Sequence, residues 1–350
     1  MASDANATED RVLAAVEQRR RVVNDAIDDY LPMAEPERLY EASRYLLLAG
    51  GKRLRPTVSF LVGEALLDVE PMSESYTDFP TLTGDRIDLL AAGMSIEVIQ
   101  SFTLIHDDIM DDDDLRRGVP SVHREYDVDT AILAGDTLYS KAFEILTHTG
   151  ARAENGLRAT RKLATTCTHI CEGQALDVDF EGRTEVEPEE YLEMVESKTA
   201  VLYGAAAAIP PILLDADDET VDALHQYAIE AGSAFQIQDD VLDLTVPSEK
   251  LGKQRGSDLV EDKETLITLH ARQQGVDVDG LVDAETPEEL SDAEVEAAVS
   301  VLEEAGSIDY ARTTAQDLVA KSKSRLEVLP DNEARGLLAD IADYLITRGY

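Results

Sequence analysis

Residues Thr103 to Gly118 read TLIHDDIMDDDDLRRG: an apolar run, then six aspartates, then two arginines. The stretch is either a solvated acidic loop or the end of a buried helix whose carboxylates do work. With 72 acidic and 31 basic residues and a formal net charge of −41, acidic clusters are expected almost anywhere in this chain. Its 38 Asp would produce the pattern DDxxD by chance roughly 0.4 times. The pattern occurs twice, as Asp107, Asp108 and Asp111 in SFTLIHDDIMD and as Asp239, Asp240 and Asp243 in SAFQIQDDVLD. Residues four apart share a helix face, so Asp107 pairs with Asp111 and Asp239 with Asp243. Both pairs follow apolar faces, FTLI and AFQI, and buried carboxylates need partners. Hard divalent cations are the natural ones, and oxygen-only donors with room for water favour Mg2+ that bridges to a phosphate ligand.

Working outward, the apolar period of three to four residues in RLYEASRYLLLAG and EARGLLADIADYLITRGY predicts helices, and no segment alternates like a strand. The fold class is therefore all-α. A hydrophobic content of 44% in 350 residues suffices for one large core, so residues 1–350 are read as a single domain with residues 1–20 as a flexible N-terminal segment. LLDVEPMSESYTDFPTLTGD and QQGVDVDGLVDAETPEELSD read as loops, and a helix starts near Pro188. The negative charge repels nucleic acid and anionic lipid surfaces and suggests a salty cytoplasm. No secretory leader opens MASDANATEDRVLAAVEQRR, so the protein is expected to be cytoplasmic. No transmembrane segment is expected, because VLYGAAAAIPPILL is short and Pro210 and Pro211 should break it. Cys167 and Cys171 in CTHIC are read as free thiols rather than metal ligands.

Basic residues sharpen the reading. Of nine Lys, four fall in GGKRLRP (Lys52), ESKTA (Lys198) and GKQRGSDLVEDKET (Lys253, Lys263). Arg53 and Arg55 accompany Lys52, and Arg116 and Arg117 follow the first aspartates. Arginine forks bind phosphate oxygens in pairs and lysine adds a point charge. Two aspartate sets with separate basic clusters imply two diphosphate ligands, one held through metal and one mainly by direct contacts.

In order and spacing, GGKRLRP, LIHDDIMDDDDLRRG, GQALD (Gly173 to Asp177), KTA at Lys198, FQIQDDVLD and GKQRGSDLVEDKET resemble the trans-isoprenyl diphosphate synthases, with the archaeal geranylgeranyl diphosphate synthases nearest. The resemblance runs from about Tyr40 to the C-terminus. It implies an isoprenoid-synthase-type helical bundle around a central cavity, a homodimer, and Mg2+ as cofactor. Asp107, Asp111 and Asp239 would be metal ligands, with Asp108, Asp240 and Asp243 as ligands or their supports. Arg116, Lys198, Thr199, Gln236, Lys253 and Lys263 would face an allylic diphosphate, whether dimethylallyl, geranyl or farnesyl. Lys52, Arg53, Arg55, Gln100 and Arg117 would face isopentenyl diphosphate, Gln100 standing where many members have histidine. Phe102 and Thr103 would limit chain length at geranylgeranyl diphosphate. Farnesyl or farnesylgeranyl diphosphate is the alternative product, and a non-catalytic partner subunit the alternative role.

Overall fold

The computed structural model of the chain describes residues 2–180, 183, 186–248, 255–261, 263–284, 286 and 289–347, so Lys253 lies outside the described residues. The described residues are mostly helical, with two short antiparallel hairpins. They cluster into two compact units: residues 1–166, 205–225 and 326–340, and residues 167–204, 226–325 and 341–350.

In the first unit, helices α1 (Ala2–Asp25), α2 (Ile27–Tyr30), α3 (Glu37–Leu48), α4 (Leu54–Leu66), α5 (Leu89–Met110), α6 (Val122–Glu125) and α7 (Val128–Thr147) follow in chain order. Helix α5 is the core element. Leu89, Ala91, Ala92, Met94, Ile96, Val98 and Ile99 are all buried, around most of the helix rather than on one stripe, as a central helix requires. Its length and composition would suit a membrane span, but most of it is buried in the protein, which marks a core helix. Asp88 caps it, accepting from the Ala91 N–H at 2.9 Å, and Tyr30 Oη donates to Asp88 at 2.6 Å. Helix α7 packs along it through Ala131, Ala134, Leu138, Ala142 and Ile145, and a Cβ on Gly135 would lie 2.3 Å from His106 Nε2. Small residues on α7 thus let the aspartate-bearing end of α5 approach it closely.

Within the segment expected to be flexible, residues 12–19 are tied to the core. Val12, Ala15 and Val16 are buried, and Arg19 pairs with Glu64 of α4, both with essentially no exposure. Tyr76 Oη and the Met72 N–H also donate to Glu64. Removing one partner of such a pair costs roughly 3–5 kcal/mol, which ties α1 to the core. The expected loop before α5 holds a hairpin, β1 (Phe79–Pro80) with β2 (Arg86–Ile87).

Helices α8 (Ala153–Phe180), α10 (Val201–Leu213) and α11 (Asp218–Thr245) contribute residues to both units. Contrary to the sequence expectation, α10 runs through Pro210 and Pro211. A proline at 210 leaves the Ala206 carbonyl without its usual helical donor, and Ser59 Oγ takes that place at 2.8 Å.

In the second unit, α9 (Pro188–Val195) begins with Pro188 at its first position and a reciprocal cap between Glu187 and Glu190, as the sequence indicated. It runs directly into a π-helical turn, Glu196–Ala200, which carries Lys198 and Thr199. Such wide turns cost helix regularity and are frequent at functional sites. Two glycines make room for this one: a Cβ on Gly173 would lie 2.2 Å from the Lys198 nitrogen, and one on Gly232 would lie 3.0 Å from Ala200 Cα.

Candidate active site

In the first unit the arginine-bearing segments meet. After the first aspartates, β3 (Leu115–Arg116) pairs with β4 (Val119–Pro120), and both turn residues, Arg117 and Gly118, have positive φ, 54° and 77°. That is the pattern of a type I′ hairpin turn, which a non-glycine residue enters at a cost of roughly 1–3 kcal/mol. Arg117 is held there by its own side chain. Its Nη1 donates to the carbonyls of Leu46 at 2.8 Å and Gly50, and its Nη2 reaches Glu97 Oε1 at 3.4 Å. Gly51 has φ 141°, and a Cβ there would lie 2.9 Å from Arg117 Cζ. The second glycine of GGKRLRP is therefore needed for the guanidinium of LRRG to approach.

Lys52 is exposed on this turn and Arg55 is half-buried in the first turn of α4. Burial lowers the basicity of Arg117, and Arg53 and Arg55 repel its charge, so the three cations are neighbours. Arg53, expected beside Lys52 and Arg55 as a diphosphate contact, instead turns inward. Its φ is 55°, its side chain is fully buried, and it donates to Glu97 Oε1, Asn24 Oδ1 and the Leu47 carbonyl. Glu97 thus joins Arg53 and Arg117. Gln100 lies one helical turn further along α5, half-buried.

Asp107 is half-buried, whereas Asp111 is exposed and caps α5, its N–H donating to the Asp107 carbonyl at 2.9 Å. Asp108 faces inward and is fully buried. Its Oδ1 accepts from Arg116 Nε at 2.5 Å, and Arg116 also donates to Asp113 at 2.7 Å. Arg116, expected to face a diphosphate, is here shared between Asp108 of α5 and Asp113 of its own loop. Asp108 Oδ2 is buried with no hydrogen-bond partner. Burial pushes the Asp108 carboxyl up to about 6, against the pull of Arg116.

The chain-length residues sit one turn before this end of α5. Phe102 packs edge-on against His106 and Tyr139, centroids 4.8 and 5.2 Å apart, and Tyr139 continues to Phe143. Thr103 donates to the Gln100 carbonyl at 2.9 Å. Phe102 is therefore committed to α7, and Thr103 lies nearer the Asp107 face.

The second unit holds a cavity of about 260 Å³ lined by Lys198, Thr199, Gln236, Asp239 and Lys263, with Tyr191, Asp177 and Asp258 among the further residues. Lys198 Nζ donates to Asp177 of GQALD, and Lys263 pairs with Glu261 at 2.8 Å. Asp240 Oδ1 accepts from Gln236 Nε2 at 3.1 Å and its Oδ2 from Tyr191 Oη. Burial raises the Asp240 carboxyl well above the usual range, with Asp258 adding to the effect. Asp243 does not line the cavity. Its carboxylate accepts from Ser257 Oγ at 3.0 Å and the Asp258 N–H at 3.3 Å, and its carbonyl from the Gly256 N–H at 2.9 Å. It shapes the GSD turn that brings Asp258 to the cavity.

Glu97, Tyr191, Asp177 and Asp258 were not assigned from sequence. Each left a signal: Asp177 and Asp258 stand within GQALD and GKQRGSDLVEDKET, Glu97 is a lone acid inside apolar GMSIEVIQ, and Tyr191 precedes Lys198 by two helical turns. Cys167 is buried, Cys171 exposed, and both are free.

Among the described residues, no three His, Cys, Asp or Glu side chains form a metal site by themselves. The donors nonetheless suit Mg2+. They are oxygen-only, they include the unpartnered Asp108 Oδ2, and burial disfavours the charged forms of Asp108 and Asp240. Mg2+ keeps several waters and takes one or two carboxylates plus substrate phosphate, so a closed cage of three is not required.

The polyprenyl synthetase family model matches residues 36–302. The chain belongs to the polyprenyl synthetase family. It is 68% identical to the geranylfarnesyl diphosphate synthase of Natronomonas pharaonis over 341 residues, 97% of this chain and 99% of that one. Among solved structures it is similar to the geranylgeranyl pyrophosphate synthetase of Geoglobus acetivorans, at 41% identity and TM-score 0.83, covering 95% and 99% of the two chains. It is also similar to the geranylgeranyl pyrophosphate synthase of Corynebacterium glutamicum complexed with isoprenyl diphosphate and magnesium, at 25% identity and TM-score 0.79, covering 97% and 99%. The enzyme is thus a chain-elongating trans-prenyltransferase with the helical fold of that family.

Proposed function

We propose that this prenyltransferase condenses isopentenyl diphosphate with an allylic diphosphate in the presence of Mg2+, releasing geranylgeranyl diphosphate. The observation that carries this reading is the second-unit cavity, where Lys198 and Lys263 stand with Asp239 and Asp258 in one lining. Ammonium groups beside carboxylates suit a diphosphate and a divalent cation together. Asp107 and Asp111 in the first unit, and Asp239 in the second, would each serve as metal ligands. When bound, Mg2+ offsets the charge of the departing diphosphate and so lowers the barrier to carbon–oxygen cleavage.

The chain's own residues do the rest. Lys198 and Lys263 hold the diphosphate oxygens of the allylic substrate, and Thr199 and Gln236 give the cavity its polar face. Lys52, Arg55 and Arg117 hold isopentenyl diphosphate, with the Gln100 amide as a neutral donor. Arg53 acts through Glu97, which fixes Arg117. The proton lost after carbon–carbon bond formation passes to the departing diphosphate, so no Ser, Cys or His nucleophile is needed. A non-catalytic partner subunit remains the alternative role, and turnover by the chain alone separates the two.

A second reading of the product is geranylfarnesyl diphosphate. It is favoured by Phe102, whose ring is engaged with Tyr139 and His106, and by the name of the relative at 68% identity. Incubation of the purified chain with isopentenyl diphosphate and dimethylallyl, geranyl or farnesyl diphosphate, followed by chromatography of the dephosphorylated products, tests both readings. Absence of any elongated product with every primer would contradict them.

A further inference from the structure

We propose that Tyr191 is a positioning residue that sets the direction of a hydrogen-bond chain ending at Thr199. The inference rests on the prenyl-transfer reading and adds a residue to it. Tyr191 lies in the last two turns of α9, just ahead of the π-helical turn that carries Thr199, and is 2% exposed. Its hydroxyl donates to Asp240 Oδ2, and the other oxygen, Oδ1, accepts from Gln236 Nε2 at 3.1 Å. Gln236 Oε1 in turn accepts from Thr199 Oγ1 at 3.3 Å.

The order of donors follows from chemistry. With Asp240 Oδ2 taken by the phenol, Oδ1 is left for the Gln236 amide, which turns its nitrogen to Asp240 and its carbonyl to Thr199. The carbonyl only accepts, so the Thr199 hydroxyl must give its proton to Gln236. Its lone pairs are then left for the cavity that both residues line. An oxygen turned this way favours positive charge on a neighbouring carbon, and it is fixed before the reaction begins.

Tyr191 anchors this order. Without its proton, Asp240 Oδ2 is a buried acceptor lacking its donor, and the amide is no longer confined to Oδ1. Gly173 and Gly232, by letting α8 and α11 close on the π-helical turn, hold Thr199 where the amide can reach it.

Tyr191→Phe in the full chain tests this. The kcat is expected to fall about 10- to 100-fold, the range typical of losing a supporting hydrogen bond at a site, with the KM for isopentenyl diphosphate unchanged. In a Gln236→Leu background the same substitution should cost less than about twofold, because the chain is already cut. The rise in melting temperature produced by Mg2+ with inorganic pyrophosphate should persist in Tyr191→Phe, since Lys198, Lys263 and Asp239 are intact. If Tyr191→Phe alone does not fold, the comparison is made in Asp240→Asn, where the group that receives the phenol is already changed and losing the phenol should again cost less than about twofold. An equal loss of kcat in either background and in the wild type overturns the proposal. Loss of the pyrophosphate-induced shift overturns it too, by making Tyr191 part of the ligand-holding set. Failure of the wild-type chain to elongate any primer would instead overturn the reading beneath it.

Discussion

Glu97 and Arg117, twenty residues apart, meet at 3.4 Å, and the same Glu97 oxygen receives Arg53. One buried carboxylate thus joins the arginines of GGKRLRP and LRRG. Glu97→Gln removes its charge and leaves two guanidiniums competing for a neutral oxygen. The KM for isopentenyl diphosphate should rise about tenfold or more, while that for the allylic substrate changes little, since breaking a buried pair costs roughly 3–5 kcal/mol and part of that falls on the bound state. Lys198→Ala should do the reverse. Steady-state kinetics with each substrate varied in turn checks both, and equal effects on the two KM values would contradict the two-cluster assignment.

Asp108 gives the metal-free protein a pH dependence of defined sign. Its folded value, about 6, lies above the unfolded value near 3.9, so the native state holds this proton more tightly. The contribution to stability is complete below about pH 4 and is lost as pH rises through about 6. Asp108→Asn does not titrate there. Urea unfolding of both proteins from pH 4.5 to 7, in chelator and at fixed high salt, should show the wild type losing stability relative to the variant as pH rises. The opposite slope would mean Arg116 dominates over burial.

Much of this was legible in the sequence. Period and spacing indicated helices, and two aspartate sets in an acidic chain were separable from background because both follow apolar faces. Directions of side chains were not legible. Arg53, Arg55 and Arg117 look alike in sequence, and only the positive φ at Arg53 and Arg117 sends one inward and fixes the other against Gly50 and Gly51. Asp240 and Asp243 likewise share a motif, yet Asp240 meets Tyr191 and Asp243 folds the GSD turn, through contacts distant in the chain.

Gly173→Ala tests the π-helical turn. The added Cβ would lie 2.2 Å from the Lys198 nitrogen, a backbone atom that cannot swing aside. Overpacking of this kind costs roughly 1–3 kcal/mol, and relief requires moving Lys198 and Thr199. A lower melting temperature together with a higher KM for the allylic substrate is expected. An unchanged KM would show that the turn can shift without moving Lys198.

Phe102→Ala should lengthen the products if the ring limits the tail, since each buried methylene gains roughly 0.8 kcal/mol. Its packing on Tyr139 and His106 makes Thr103→Phe the stronger perturbation, and that variant should stop elongation early. Chromatography of the dephosphorylated products decides. A change in Thr103→Phe alone places the limit on the Thr103 face, and no change in either places it on another helix.

The central claim, metal-dependent transfer of an allylic group to isopentenyl diphosphate, is tested most directly by one assay. The purified chain is given labelled isopentenyl diphosphate and farnesyl diphosphate in high salt, with Mg2+ or with chelator, alongside Asp107→Ala and Asp239→Ala. Labelled geranylgeranyl or geranylfarnesyl diphosphate should form with Mg2+, disappear in chelator, and fall by several orders of magnitude in both variants. Full activity in chelator or in either variant would contradict the account.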